Sequence, residues 1–359
     1  MSAAATETRP IIVTIGGFLG AGKTSLILAA ARLLARRGLR SAVVLNDQGV
    51  ELVDTRLAEN QAMAAGEVTG GCFCCNFSAL MEAIEQLRAH QPDVIFTEPV
   101  GSCTDISATV LGPLLEQFES YRVAPLTVLV DPERAAALLA NSADPDLAFL
   151  FQKQLEEADL VCLSKSDLHP DAQLPGIAAL RLSALTGDGL EVWMNSILSG
   201  SIEPGGHTLD IDYTRYAEAE AALAWLNLSF DFEPAAAISP TLVVGPLVDG
   251  IDAALTAAGV VIVHMKVFCN SASGWIKAAV CANGEEPRVE GMLDASPAGR
   301  HEVLLNLRAK GSAAAVRQIV EEQVARLDGK ARNLRLDCFH PAPPKPERRI
   351  TRPRTSPSR

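Results

Sequence analysis

Gly16-Gly17-Phe18-Leu19-Gly20-Ala21-Gly22-Lys23-Thr24 follows the apolar, β-branched run Ile11 to Ile15. It precedes a segment, Thr24 to Arg37, in which Leu26, Ile27, Ala30, Leu33 and Leu34 recur at helical spacing. Strand, glycine-rich turn and helix in that order form the context in which GxxxxGK[ST], here Gly17, Gly22, Lys23 and Thr24, reads as a phosphate-binding loop. Glycines let the backbone wrap phosphates without side-chain clashes, and the amides and helix N-terminus supply positive potential. Lys23 is expected to reach the terminal phosphates and Thr24 to ligate magnesium, with Gly20, Ala21 and Ser25 completing the contact set.

The alternation continues outward from this loop. Strands are expected at Ser41 to Leu45, Val94 to Thr97, Leu126 to Val130, Leu160 to Ser164 and Leu180 to Leu182. Helices are expected at Ser78 to Ala89, Ile106 to Phe118, Asp146 to Ala158 and Leu190 to Leu198. This order predicts an α/β fold, a P-loop NTPase domain with a mainly parallel sheet covered on both faces, over residues 10–200. Gly200, Pro204, Gly205 and Gly206 punctuate a linker, 201–216. Over 217–340 the pattern changes to strands Ala224 to Phe232, Val260 to Cys269, Trp275 to Ala282, Glu302 to Ala309 and Asn333 to Phe339. Helices Leu247 to Ala257 and Ala313 to Leu327 lie among them. Adjacent strands joined by Asn270 to Gly274 make a hairpin, so this smaller unit is expected to be an α+β domain with an antiparallel sheet.

At 359 residues, 48% apolar and 21% charged, the chain has the composition of a soluble two-domain protein, and no apolar run approaches the roughly 20 residues that span a bilayer. Residues 1–9 are small and polar, and the apolar run after them is too short for a signal-peptide core, so the cytoplasm is expected and a membrane role is not. In that reducing compartment the eight cysteines read as core residues or metal ligands rather than disulfides. A net charge of -12 argues against general nucleic-acid binding. The tail, 341–359, sets six basic residues against Glu347 amid prolines and is expected to be disordered, as is the N-terminus 1–9.

Five further elements carry chemistry. Ser164-Lys165-Ser166-Asp167 follows a buried strand and has the shape of a guanine-reading NKxD element, with Asp167 placed to accept from the base and serine where asparagine is usual. Ser183-Ala184-Leu185 resembles the later loop that offers backbone amides to guanine O6. Glu98-Pro99-Val100-Gly101 ends a strand where a carboxylate would face the phosphates and orient magnesium or its water, and Asn46-Asp47-Gln48-Gly49 falls where a switch loop would sense the terminal phosphate. Gly71-Cys72-Phe73-Cys74-Cys75 places three thiols just before a helix, whose dipole favours thiolates. After Gly70-Gly71 the turn is expected to be irregular and exposed. Three sulfurs suit Zn(II), Cu(I) or Co(II), with a fourth ligand open among Asp47, Glu67, water and a client protein.

Taken together, GGFLGAGKT at Gly16 to Thr24, GCxCC at Gly71 to Cys75 and ExxG at Glu98 to Gly101 resemble the CobW-like family of P-loop GTPases, relatives of the nickel-insertion GTPases that mature urease and hydrogenase. The resemblance covers about residues 10–200. It implies Mg-GTP binding, slow hydrolysis and delivery of zinc or cobalt to a client protein or cofactor pathway such as that of cobalamin. Cys72, Cys74 and Cys75 are then the metal thiols, and Asp47 stands where the family's NEFG segment has glutamate. The histidine-rich stretch that family members often carry is absent here. No residue presents itself as a catalytic base or arginine finger, which predicts slow intrinsic turnover. The expected partners are a guanine nucleotide and a client, which the C-terminal domain is expected to bind; a homodimer stays open. Two other readings stay open at this point: an ATP-dependent kinase or activator in cofactor metabolism, and a zinc-stabilised nucleotide-binding scaffold.

Overall fold

The computed structural model describes residues 9–46, 53, 63–117 and 119–351. The chain divides into two units, one of residues 1–48, 54–216 and 344–359, the other of 49–53 and 217–343.

The first unit is built on an all-parallel sheet. Its strands are β1 (Ile11–Gly16), β2 (Ser41–Asn46), β3 (Ala64–Val68), β4 (Val94–Glu98), β5 (Arg122–Val123), β6 (Thr127–Val130), β7 (Leu160–Leu163) and β8 (Ala179–Arg181), in the order β3-β2-β4-β1-β6-β7-β8, with β5 also on β1. β1, β2, β4 and β6 are buried almost throughout, because helices cover both faces and continuous Ile, Val and Leu runs serve both. Strands are added on one side of β1 as β4, β2 and β3 and on the other as β6, β7 and β8, so the loop after β1 opens at the carboxyl edge where the winding switches, the place at which doubly wound sheets bind ligands.

Helix α1 (Lys23–Arg36) buries Leu26, Ile27, Ala30, Leu33 and Leu34, the residues its spacing predicts, and stops at Gly38, whose φ of 73° and backbone bond to Ala35 make a left-handed cap. Helix α2 (Phe77–Leu87) follows the thiols. The helix expected from 106 to 118 is instead a π-helical segment, Ser107–Leu111, running into α3 (Gly112–Leu115). Helix α4 (Pro132–Leu138) escaped the periodicity because it is short. Its signal was Asp131-Pro132, a cap that accepts the Glu133 N–H followed by proline in the first turn. Helix α5 (Pro145–Glu157) is capped by Asp144, and α6 spans Leu190–Leu198 as its pattern predicts. The unit boundary falls within α7 (Tyr213–Ala221).

The second unit is a six-stranded antiparallel sheet in the order β12-β11-β10-β13-β9-β14. The strands are β9 (Leu223–Pro234), β10 (Val261–Ser271), β11 (Gly274–Val280), β12 (Arg288–Gly291), β13 (His301–Lys310) and β14 (Gly329–Phe339). β10 and β11 form the expected hairpin, closed at Ser271 opposite Gly274. Helices α8 (Thr241–Ala257) and α9 (Ala313–Ala325) share one apolar core with the sheet; α8 begins six residues before the expected Leu247 because Pro246 is carried inside it. Val53 also belongs here, its N–H donated to the Asn306 side chain.

Candidate functional site

The loop after β1 is shaped by its glycines. At Gly17, with φ of 134°, a Cβ would lie 2.3 Å from the Leu129 carbonyl oxygen, so only glycine fits; Gly20 and Gly22 also have positive φ. Gly22 caps α1, and Lys23 and Thr24 open it, with Ser25 half-buried behind them and Ala21 buried. The Lys23 ammonium donates to the Gly17 carbonyl at 3.0 Å and stands 3.9 Å from the Glu98 carboxylate. The Thr24 hydroxyl donates to Glu98 at 2.9 Å. All three side chains are buried. Thr14 and Thr97, paired in register, join hydroxyls at 2.9 Å and fix β4 to β1 just below them. Glycine cradle, ammonium, hydroxyl and carboxylate are the donor set that a triphosphate with magnesium requires, and they are brought together as the sequence predicts.

The two candidate base-reading loops end adjacent strands. The Ser166 N–H donates to the Leu182 carbonyl, tying one loop to the other. Ser164 is buried and its hydroxyl donates to the Val130 carbonyl; Lys165, with φ of 55°, pairs with Asp131; Asp167 is exposed. The Ser183 hydroxyl accepts the N–H groups of Leu185 and Thr186, which shapes the turn that leaves Ala184 half-buried and Leu185 85% exposed.

The thiols of Cys72, Cys74 and Cys75 lie within 4.8 Å of one another, with Cys72 and Cys75 sulfurs at 3.4 Å and Cys74 and Cys75 at 3.6 Å. All eight cysteines are free. The turn closes on the Cys72 carbonyl, which accepts the N–H groups of Cys75 and Asn76. The expected exposed turn is corrected: Cys72 and Cys74 are buried and only Cys75 is half-exposed. Cys103, a residue the motif reading passed over, is buried as well, and its thiol influences the acidity of Cys72 and Cys74. Thiol donors from Cys103, Cys74 and Cys75 hold Cys72 well below the ordinary thiol range. Cys74 is pushed up by its bonds to Cys103 and Cys72, and Cys75 rises to about 11 chiefly through its bond to Cys72. Cys72 is thus set apart as the most acidic thiol of the turn, and a thiolate is the form that ligates metal.

Asn46 is the second residue the motifs undervalued. Buried at the end of β2, its side-chain amide donates to the carbonyls of Val68 and Gly71 and its oxygen accepts the Phe73 N–H, all at 2.8–2.9 Å. Its neighbours Asp47 to Gly49, the remainder of the expected switch segment and with it the candidate metal ligand Asp47, lie outside the described residues. Glu67 is exposed on β3.

The chain's end reaches the same place. Lys345 donates its N–H to the Cys75 sulfur at 3.1 Å, and the Glu347 N–H donates to the Cys74 carbonyl at 3.0 Å. The Glu347 carboxylate accepts the N–H and hydroxyl of Ser78 at the start of α2, and Arg349 pairs with fully buried Asp105. Residues 344–351, which composition places in a disordered tail, therefore carry specific bonds along this edge.

Residues 11–187 match the family model "CobW/HypB/UreG, nucleotide-binding domain". The chain is 31% identical over 171 residues to the Escherichia coli zinc chaperone YjiA, a match covering 46% of this chain and 52% of YjiA. It is 30% identical over 230 residues to the E. coli zinc chaperone YeiR, covering 60% of this chain and 62% of YeiR. The chain thus spans about half to three fifths of the length of these relatives. A crystal structure of Helicobacter pylori HypB in complex with nickel aligns with 57% of this chain and 92% of its own, at 16% identity and a TM-score of 0.41. The first unit belongs to the CobW/HypB/UreG family of P-loop nucleotide-binding domains. No helix among the described residues is long and apolar enough to cross a membrane.

Proposed function

We propose that this protein is a GTP-regulated metallochaperone that binds a transition metal, zinc before cobalt, at Cys72, Cys74 and Cys75 and passes it to a client. The observation that carries this reading is the short path between the two chemistries. Glu98, bonded to Thr24, stands in register beside Leu45 on β2, and the next residue, Asn46, holds the turn that carries the thiols. A change at the phosphates that moves β4 against β2 is felt by the thiols within two residues.

In this reading the glycine loop and Lys23 hold the triphosphate, while Asp167 and the amides around Leu185 select the guanine base. Thr24 and Glu98 would hold magnesium, which supplies charge neutralisation for phosphoryl transfer. Glu98 orients rather than abstracts, since its carboxylate already accepts from Thr24. With no base placed by the described residues, turnover is slow and hydrolysis acts as a timer for metal release. The second unit is the candidate surface for the client. The zinc-chaperone names of two relatives support zinc as cargo.

Calorimetric titration with Mg-GTP and Mg-ATP, beside a phosphate-release assay, tests the nucleotide half. The reading expects GTP to bind at least tenfold more tightly and to turn over far below the roughly 10 per second typical of enzymes. Preference for ATP would overturn it in favour of a cofactor kinase or activator.

A further inference from the structure

Cys72 and Cys74 are buried and Cys75 is partly exposed, so a donor that takes metal from this turn must approach past Cys75. The chain's end lies across that approach. The Lys345 N–H meets the Cys75 sulfur at 3.1 Å and, two residues on, the Glu347 N–H meets the Cys74 carbonyl at 3.0 Å. Pro344 and Pro346 flank Lys345. Prolines hold such a stretch extended before it docks, which reduces the entropy lost on docking.

The segment is seated on built features of the first unit. Asn76, at the cap position of α2, makes no side-chain cap bond, and the Glu347 carboxylate takes that role. It accepts the Ser78 N–H at 3.0 Å and the Ser78 hydroxyl at 2.7 Å, at the positive end of the helix dipole. Arg349 donates to Asp105, which has no solvent exposure, and to the Leu209 carbonyl at 2.7 Å. The Ile350 N–H donates to the Ala108 carbonyl at 2.8 Å. A Cβ at Gly112 would stand 3.0 Å from the Ile350 Cβ, tighter than ordinary contact, so the lack of a side chain at Gly112 is what lets Ile350 seat. Charged anchors at 347 and 349 thus fix a segment whose other end lies on a thiol.

We propose that residues 344–351 form a strap that gates metal exchange at the thiol turn: seated, it closes the Cys75 side to an incoming donor, and displaced, it opens that side. The inference rests on the metallochaperone reading of the thiols and deepens it by naming the element a client must move. Release is then a ligand exchange, in which a donor from the recipient forms its bond to the metal as the bond to the Cys75 sulfur breaks. No oxidant or reductant is consumed. The anchors suit a contact that switches: Lys345 and Glu347 are exposed, and bonds between exposed charged and polar groups are weak enough for a competing surface to replace. The Arg349 pair, with its buried carboxylate, defines the seat to which the strap returns.

Stopped-flow transfer of Zn(II) from the reduced full-length protein, loaded with one equivalent, to an excess of a chromophoric chelator tests this. The variants are Glu347→Ala, Glu347→Ala/Arg349→Ala and, as a control in the second unit, Arg332→Ala. The proposal expects transfer about tenfold faster in the double variant and about threefold faster in Glu347→Ala, with the control at the wild-type rate. Uptake of Zn(II) by the metal-free protein should accelerate in step, because a gate acts in both directions. Glu347→Ala leaves no buried charge unpaired, so it decides the matter if the double variant does not fold. A wild-type rate in every strap variant that folds overturns the proposal and leaves the three-thiol chaperone reading standing. Faster release with unchanged or slower uptake does the same, since it marks damage to the turn rather than an opened gate. Failure of the wild type to hold stoichiometric zinc overturns both.

Discussion

The Asn46 side chain accepts the Phe73 N–H at 2.8 Å, in the middle of the turn that presents Cys72, Cys74 and Cys75. A polar residue at the end of a buried strand thus sets the backbone of the thiol turn, through three hydrogen bonds that span β2, the end of β3 and the Gly71 to Phe73 segment. The nucleotide side of the same sheet reaches Asn46 through one residue pair, Leu45 beside Glu98.

Replacing Asn46 with alanine leaves buried carbonyls and an N–H without their partner. We expect a stability loss of about 2 kcal/mol and zinc affinity at least tenfold weaker, with Mg-nucleotide affinity changed by less than threefold. Thermal unfolding and zinc competition on the same preparation check this; unaltered zinc affinity would remove Asn46 from the account.

Gly17→Ala introduces a methyl 2.3 Å from a backbone oxygen at a φ of 134°. Neither the Leu129 carbonyl nor the loop has a flexible side chain with which to yield. The expected outcome is a loss of about 2 kcal/mol or more together with nucleotide binding, whereas alanine at Gly38, where a Cβ meets nothing within 4 Å, costs about 1 kcal/mol through φ alone and leaves nucleotide binding intact. Calorimetry with Mg-GDP separates the two.

These positions also mark how far the sequence was legible. β1, β2, β4 and β6 declare themselves because strands buried on both faces need unbroken apolar runs, and the glycine loop is local, so its whole donor set except Glu98 lies in one stretch. β3, Ala64-Ala65-Gly66-Glu67-Val68, has no such run; as an edge strand it borrows its order from β2. Cys103 comes to influence the acidity of Cys72 and Cys74 only through the folding of the chain between them, which no spacing rule encodes. Its one local signal was a cysteine just past the ExxG element. The bonds of 344–351 were hidden by composition: a proline-rich basic segment has no core of its own, yet Glu347 and Arg349 find fixed partners on the first unit.

Glu157 is fully buried, and desolvation, with the Asp105 charge adding to it, pushes its carboxyl up to about 8 against accepted bonds from Ser107 and Thr104. The folded protein therefore holds a proton that the unfolded chain releases near pH 4.5. Stability from this group is complete below that pH and is lost as pH rises through about 8, by on the order of 1 kcal/mol per pH unit across the window. Glu157→Gln, which can still accept from Ser107 and donate to the Thr104 oxygen, should flatten this slope and be the more stable protein at pH 8.5. Denaturant unfolding at pH 5 to 9 measures it; parallel slopes for both proteins would count against a neutral Glu157.

Arg349 is one third exposed and pairs with Asp105, which has no solvent exposure. Arg349→Ala leaves that carboxylate with the Tyr213 hydroxyl but without its cation. A cost of about 2 kcal/mol is expected, below the 3–5 kcal/mol typical when both partners are buried. The same change loosens residues 344–351, so Cys75, which receives the Lys345 N–H, should be alkylated several-fold faster in the metal-free protein. Mass-resolved alkylation kinetics would show no change at Cys75 if this segment has no hold on the thiols.

The central claim is that nucleotide and metal are thermodynamically linked. A Zn(II) competition titration of the reduced full-length protein in Mg-GDP and in a non-hydrolysable Mg-GTP analogue, beside a Cys72/Cys74/Cys75 to Ser variant, tests it most directly. The account predicts tighter zinc in the GTP-like state by about tenfold or more, a coupling of about 1.4 kcal/mol, and loss of the high-affinity site in the variant. Equal zinc affinity in both nucleotide states would contradict it, leaving the thiols as a structural or redox site that the nucleotide does not govern.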